Sequence, residues 1–287
     1  MRRLAALFVV PLLVAGCSDD EPVAVGTRGD PVGGPLTGTA TVLESPEHGP
    51  QLCLGGVADS LPPQCGGPDI VGWDWDDATG EESANGTTWG DYTVVGTWAD
   101  GTFMLTEPPR APEARDDEPA GSGQGVLTSG AAGGWAVVDA TTTTQAAEDA
   151  AMAAAQSQAD FSGAWVDQSI NPSYADGEVS VGDEPAMNDP AHLIVNVRFT
   201  GDVARHEREL RALWGGALCV SEGRRTEAEL RRIQDELGDR DDLTWSSTDV
   251  IEEQVELGVV VDDGVQAEMD ATYGDGVVDV QPALTPI

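Results

Sequence analysis

Two of the four cysteines are spaced so that they can form a disulfide bond. Cys53 and Cys65 lie twelve positions apart, with Pro62 and Pro63 between them. In an oxidising compartment we expect this pair to close a short loop as a disulfide; two buried free thiols are the alternative. Cys219 lies in an apolar Ala-Leu-Cys-Val segment, where we expect it to pack as a small hydrophobic residue. The sequence has no C-x-x-C motif, so it gives little support to thiol redox catalysis.

The three histidines, His48, His192 and His206, lack neighbours at the spacing of a metal site or a catalytic motif. His206 opens the sequence H-E-R-E-L, which departs from H-E-x-x-H because position 210 is leucine. The chain contains no G-x-S-x-G motif and no lysine. These absences exclude a nucleophile elbow of that pattern, a P-loop lysine and a Schiff-base lysine. We therefore expect structural or surface roles for the histidines, with no metal and no cofactor.

Five carboxylates cluster between Asp74 and Glu82, in the segment GWDWDDATGEE. Carboxylates and carbonyls together are the ligands that Ca²⁺ prefers. The EF-hand pattern fails here, because its sixth position is Thr79 and its twelfth is Asn85. We favour a solvated acidic loop. Paired carboxylates also perform glycoside hydrolysis, but a chain with 51 acidic residues produces many such pairs by chance.

Four of the eight tryptophans fall between residues 73 and 98. Trp73 and Trp75 are two positions apart, so on a strand their side chains would share one face of the sheet. An aromatic core is the expected role in so small a domain. The alternative is an exposed platform that binds a sugar or a peptide, which makes Trp73 and Trp75 the candidate binding residues.

The chain is strongly acidic. Its 287 residues include 51 acidic and 14 basic side chains, all of the latter arginine, for a formal net charge of −37. Nucleic-acid binding depends on clustered positive charge, so this composition argues against a nucleic-acid partner. The charges balance within 193–240, where Glu–Arg pairs at i,i+4 spacing indicate solvated helices. A docking face for an acidic partner is the alternative there.

Residues 1–17, MRRLAALFVVPLLVAGC, combine two arginines, a short apolar run and a terminal Val-Ala-Gly-Cys. A membrane span needs about 20 apolar residues, so this shorter run indicates a targeting segment. The ending resembles the lipobox of bacterial lipoproteins. That resemblance implies that Cys17 is lipidated, that the leader is cut before it, and that the acyl chains hold the protein to the extracytoplasmic side of the cell membrane. An ordinary signal peptide with an incidental cysteine is the alternative.

Changes in composition divide the remaining chain. Residues 18–36, rich in Gly, Pro and Asp, are predicted to be a flexible tether, and residues 108–132, rich in Pro, Gly and acids, are predicted to be a linker. Between them, 37–107 shows five short strand patterns separated by turn residues, which predicts a β domain. Residues 133–287 alternate between strand and helix patterns, which predicts an α+β domain.

The strand patterns indicate how each domain is built. Five short strands favour a small antiparallel β barrel, OB-like or similar, with a Greek-key sandwich fragment as the alternative. In 133–287 the strands alternate apolar and polar residues, so one sheet face is buried and helices cover that face alone. The expected fold class is therefore α+β, with a small barrel followed by an α+β sandwich.

Several elements of the second domain have clear signals. Residues 144–160 are Ala-rich and predicted to be helical. Asp202 and Thr226 are in N-cap positions before helical patterns, and Asp263 with Gln266 could cap a last helix that ends at Gly274. In residues 193–199 the apolar side chains alternate, and residues 245–261 are predicted to form one long strand.

Motifs in both domains are similar to those of uncharacterised actinobacterial proteins. The β domain contains LCLGG, PPQC, GWDW and GTW, and resembles a lipoprotein module. The last third contains RHERELRALWGGALCV, TEAELRRIQDEL and MDATYGDGVVDV, and resembles a domain of actinobacterial secreted proteins. It is also faintly similar to prodomains of secreted bacterial serine proteases, which implies a protease inhibitor or chaperone.

Together these observations predict a lipid-anchored protein of the cell surface with a non-enzymatic binding or scaffolding role. The predicted partners are the membrane, through the lipid, and a protein or a saccharide. A secreted carboxylate-dependent hydrolase and a prodomain-like protease inhibitor or chaperone are the alternatives.

Overall fold

The computed structural model of the protein describes residues 34–112, 135–174 and 184–287. The leader with Cys17, most of the tether and most of the linker lie outside the described residues. Predictions about them therefore stay predictions.

Twelve strands in the described residues form two sheets. The first six strands are β1 (Leu36–Ser45), β2 (His48–Cys53), β3 (Ile70–Val71), β4 (Glu82–Ala84), β5 (Thr87–Ala99) and β6 (Thr102–Leu105). The other six are β7 (Phe161–Asp167), β8 (Ile194–Phe199), β9 (Ala217–Glu222), β10 (Leu243–Asp249), β11 (Gln254–Val261) and β12 (Val278–Pro286). The α-helices are α1 (Gln145–Gln156), α2 (Glu184–Met187), α3 (Val203–Arg211), α4 (Glu227–Leu237) and α5 (Val265–Tyr273). The mixed α+β class is thus confirmed.

The larger sheet has the strand order β10-β11-β12-β1-β5-β6-β3, with β2 paired to β1 and β4 paired to β5. Its strands come from both predicted domains. Strand β12 runs antiparallel to β1, with Leu36 opposite Pro286 and Thr37 opposite Thr285. The last strand of the chain is therefore hydrogen-bonded to the first one described, and a strand pair joins the two predicted domains in addition to the linker.

The strands of the first predicted domain enclose a hydrophobic core that includes Leu36, Val42, Tyr92 and Phe103. At one side of this core, a single bridge pairs Gln51 of β2 with a residue just before β3. A single bridge is weaker than a ladder of paired strands. The described strands therefore do not form a closed barrel, and the OB-like prediction is not confirmed.

Residues 133–287 hold two groups of strands where the sequence predicted one sheet. Strands β7, β8 and β9 form a separate three-stranded sheet. Helices α1 and α3 pack on the face of this sheet that presents Val195, Val197 and Phe199, the alternating apolar residues of β8. Helices α4 and α5 instead pack on β11 and β12 of the larger sheet.

The predicted helix caps at Asp202 and Thr226 are confirmed, and Thr144 caps α1 in the same way. The side-chain oxygens of Thr144, Asp202 and Thr226 each accept a hydrogen bond from a backbone N–H three residues later. Each cap satisfies one of the N–H groups that a helix leaves unpaired in its first turn. These caps position α1, α3 and α4 against their sheets.

The cap predicted at Asp263 is wrong. Helix α5 follows Gly264, which has a left-handed conformation, and the Gln266 N–H donates to Asp262 instead.

The prediction of one long strand over 245–261 is wrong. This stretch forms a hairpin of β10 and β11. The Asp249 side chain accepts hydrogen bonds from the backbone N–H groups of Ile251 at 2.7 Å and Glu252 at 3.0 Å. Glu253 then adopts a positive φ of 54°. The apolar pattern continued through Ile251, but the aspartate turn reverses the chain there.

Candidate functional site

A groove of about 850 Å³ crosses the outer face of β1 and β5. The alternation of β1 creates its floor: Leu36 and Val42 point into the core, so Thr37, Thr39 and Thr41 point outward. The described residues that line the groove are Thr37, Gly38, Thr39, Ala40, Thr41, Cys53, Gly55, Val57, Asp91, Thr93, Arg110, Ala111, Pro112, Ala283 and Thr285.

Hydroxyl and carboxylate groups on β1 and β5 form a row of cross-strand pairs on this floor. Thr39 lies opposite Thr93, and their hydroxyl oxygens are 2.9 Å apart. Thr41 lies opposite Asp91 and donates a hydrogen bond of 2.6 Å to its carboxylate. The strand register therefore holds these polar groups at fixed positions on a rigid surface.

At one rim of the groove, strand β1 changes its hydrogen-bonded neighbour from β12 to β2. Along this edge of β1, Thr37 is the last residue registered with β12, and Thr41 is the first registered with β2. In the described chain, residues 38–40 have no registered partner on this edge. Gly38 lies too close to the carbonyl of Ala283 for a side chain to fit between the strands.

Arg110 forms the opposite rim. Its backbone pairs with Thr93 through two hydrogen bonds, of 2.8 Å and 3.1 Å. Its side chain is 63% exposed and lies 3.8 Å from the Glu107 carboxylate. Exposed ion pairs of this kind are weak, so the guanidinium is available to a ligand.

Trp73 and Trp75 lie outside this groove and not on a strand. Strand β3 ends at Val71, Gly72 has a φ of +87°, and Trp75 begins a short 3₁₀ helix. The prediction that both rings project from one strand is therefore wrong, because the left-handed glycine turns the chain away from extended geometry.

The two rings nevertheless pack together against the core. Their centroids are 5.2 Å apart, and Tyr92 lies 5.0 Å from Trp73 and 6.2 Å from Trp75. The indole N–H of Trp75 donates to Glu44 Oε2 at 2.6 Å. Both rings are half-buried. This packing favours a core role, and ligand binding by Trp73 and Trp75 stays a prediction.

The predicted disulfide between Cys53 and Cys65 is present, with the two Cα atoms 5.8 Å apart. It places Cys53 at the rim of the groove. Cys219 is a free, half-buried thiol. Burial raises its pKa, and the charge of Glu207 adds to the effect while that of Arg198 opposes it. A raised pKa disfavours the nucleophilic thiolate, consistent with a packing role.

The acidic cluster shows no arrangement that suits a cation. Asp74 caps the 3₁₀ helix by accepting a hydrogen bond of 3.0 Å from the Asp76 N–H. Across residues 34–112, 135–174 and 184–287, no group of three or more histidine, cysteine and acidic side chains is positioned to hold a metal ion. The side chains of Asp74, Asp76 and Asp77 are exposed, as expected of a solvated loop.

The histidines differ in their surroundings. His206 is buried, stacks on Phe199 with 3.7 Å between ring centroids, and lies 2.8 Å from the Asp160 carboxylate. The hydrogen bond with His206 lowers the pKa of Asp160. His192 is half-buried and lies 3.2 Å from Asp189. These contacts fit structural roles, and sequence spacing gave no signal for the His206–Asp160 pair.

A second polar network, which sequence reasoning also missed, surrounds the buried carboxylate of Glu253. Ser162 donates to its Oε1 atom at 2.6 Å, and Arg224 donates from its backbone N–H at 2.8 Å and from Nε at 3.1 Å. Arg198 lies 3.9 Å away and stacks over Trp165. Burial opposes ionisation, but these hydrogen bonds and the Arg198 charge outweigh it and lower the Glu253 pKa.

In the part of the chain that the structure describes, no helix is long and apolar enough to cross a membrane.

No protein-family model matches the chain, and no curated protein is significantly similar to it. The groove and its polar side chains are therefore the basis for assigning a function.

Proposed function

We propose that the protein is a lipid-anchored, extracytoplasmic binding protein whose ligand occupies the groove over β1 and β5. The observation that carries this proposal is the row of polar side chains on the groove floor, held in register by paired strands. Preformed concave sites with a few fixed polar groups are typical of ligand binding.

The same groove argues for binding over hydrolysis. Hydrolysis by paired acids needs two carboxylates on opposite sides of the reacting bond. Among the described residues that line the groove, Asp91 is the one carboxylate. Elsewhere, the Asp160 and Glu253 carboxylates accept hydrogen bonds within the fold and so have structural partners.

The proposal includes the cellular location of the protein. The lipobox-like Val-Ala-Gly-Cys ending at Cys17 supports a membrane anchor through lipid. The Cys53–Cys65 disulfide supports an oxidising, extracytoplasmic location. For residues 37–107 the proposal is an OB-like arrangement that stays partly open, since a single bridge at Gln51 joins β2 to the residue just before β3.

Ligand binding and turnover can be measured on the same sample. The full chain, purified in detergent micelles, is tested for thermal stabilisation by a library of saccharides and peptides. It is also tested for hydrolysis of chromogenic ester, peptide and glycoside substrates. We expect stabilisation by a ligand without turnover. Turnover abolished by Asp91→Asn, with the melting temperature unchanged, would replace the binding proposal with an enzyme.

A further inference from the structure

Five hydroxyl groups lie on the groove floor, contributed by three neighbouring strands. They belong to Thr37, Thr39, Thr41, Thr93 and Thr285. Several of these hydroxyls already donate within the fold: Thr37 donates to the Val94 carbonyl at 3.1 Å, and Thr41 donates to the Asp91 carboxylate at 2.6 Å. A threonine oxygen also has two acceptor lone pairs, so these groups face a ligand chiefly as hydrogen-bond acceptors. Outward residues repeat about every 7 Å along a strand and about every 5 Å across a strand pair. The floor is therefore a two-dimensional array of groups that match a polyhydroxylated molecule.

The charges in the groove are balanced, although the chain as a whole is not. Asp91 adds one acceptor group, and Arg110 on the opposite side of Thr93 adds one set of donors. The formal net charge of −37 disfavours the approach of an anion. A cationic ligand would meet a single carboxylate, which already accepts a hydrogen bond from Thr41. A neutral ligand suits this balance best.

The strand arrangement disfavours an extended peptide. Peptides commonly bind a sheet by adding a strand along a free edge. On the groove side of β1 the edge without a registered partner is limited to residues 38–40, between β12 and β2. An added strand has no room there, so recognition depends on side chains.

The rims supply apolar surface beside the hydroxyls. Val57 is 40% exposed, and Ala283 and Pro112 line the groove with it. These side chains and the threonine methyl groups can contact the C–H faces of a sugar ring while the hydroxyls bond its edge. We infer that the ligand of the groove is a neutral saccharide, an inference that rests on the proposed function and specifies its ligand class.

The test uses the full chain in detergent micelles on a printed array of neutral and charged oligosaccharides and a parallel array of peptides. The dissociation constant of the best ligand is then compared between the wild type, Thr39→Val, Thr93→Val and Thr97→Val. Thr97 is an exposed threonine on the same strand as Thr93 but outside the groove, so its variant is a matched control. Melting temperatures show whether each variant folds.

We expect binding to neutral oligosaccharides that weakens at least tenfold in Thr39→Val and in Thr93→Val and stays unchanged in Thr97→Val. Equal affinity in all four proteins would place the saccharide elsewhere and overturn the inference. Binding to peptides alone would also overturn it, while the proposed binding function would stand. If no saccharide binds, the inference fails; turnover of a substrate in the parallel assay would remove the proposed function as well.

Discussion

The Ser162 hydroxyl donates a hydrogen bond of 2.6 Å to the Glu253 carboxylate, although 91 residues separate them in the chain. Ser162 lies on β7 of the three-stranded sheet, and Glu253 lies in the turn that joins β10 to β11 of the larger sheet. The pair therefore ties the two sheets together. Gly223 permits this contact, because a side chain there would collide with both Ser162 and Glu253.

Removal of the Glu253 carboxylate should destabilise the protein. Glu253 is 3% exposed, and its loss leaves Ser162 and the partly buried Arg198 without their carboxylate partner. We expect Glu253→Ala to lower the free energy of unfolding by about 3 kcal/mol, near the lower end for a broken buried ion pair, because Arg224 is largely exposed. Urea denaturation measures this change. The exposed neighbour Glu252 provides a control, and an equal loss in Glu252→Ala would contradict the assigned role.

The same carboxylate should make stability depend on pH. Because the Glu253 pKa is lower in the folded state than its ordinary value of 4.5, its contribution is present above that value and is lost as pH falls through the folded pKa. We expect the difference in unfolding free energy between wild type and Glu253→Gln to shrink as the pH is lowered from 5 toward 3. Denaturation curves across this range provide the measurement. A difference that grows on acidification would show that the pKa is raised instead.

The disulfide should stabilise the β1–β6 region. The two cysteines are 12 residues apart, and the chain-entropy relation gives about 3 kcal/mol for a loop of this size. We expect the double variant Cys53→Ala, Cys65→Ala to lose about that amount, and Cys219→Ala to lose less. Peptide mapping without reductant should find the bridge, with Cys219 alkylated mainly after unfolding. A bridge from Cys219 to either partner would refute the assignment.

Truncation of Trp73 should affect folding. Its ring packs on Trp75 and Tyr92 against the core. Replacement of a fully buried aromatic residue by alanine costs about 3–5 kcal/mol, and a half-buried ring such as Trp73 should cost less than that. We expect Trp73→Ala to lower the melting temperature markedly, and Trp245→Ala, which removes a ring that is 38% exposed, to lower it less. If Trp73→Ala keeps its stability and weakens ligand binding, the aromatic platform is the correct interpretation.

Lipid attachment should depend on Cys17. The Val-Ala-Gly-Cys ending motivates this prediction. We expect Cys17→Ala to lose incorporation of a fatty-acid probe in metabolic labelling and to lose processing by the lipoprotein route. The variant Cys219→Ala should still be labelled. Label retained in Cys17→Ala would exclude this anchor.

Local features of the fold were predictable from the sequence. A cap at Thr226 depends on a hydroxyl and an N–H three residues apart, and the buried face of β8 depends on side chains two residues apart. The disulfide was predictable for a similar reason, because the two cysteines are close in sequence. Interactions of this range leave a direct pattern in neighbouring residues.

The hydropathy pattern gave a wrong prediction where a single turn residue ends a strand or reverses the chain. The apolar side chains at 250 and 251 continue a strand pattern, yet the side chain of Asp249 and the positive φ of Glu253 reverse the chain. In the same way, Gly72 ends β3 before Trp73 and Trp75. The left-handed conformation costs little at Gly72 and about 1–2 kcal/mol at Glu253. Each involves a single residue, so average propensity over a window does not reveal it.

The sequence by itself determined the acidic composition, the lipobox-like ending at Cys17, the helix caps at Asp202 and Thr226, and the mixed α+β class. Only the tertiary structure decided that β12 pairs with β1, that Thr39 lies opposite Thr93, and that Ser162 meets Glu253. Each of these contacts joins residues at least 50 positions apart. Their formation depends on strand register and sheet order, which the whole hydrophobic core selects and no short stretch of residues encodes.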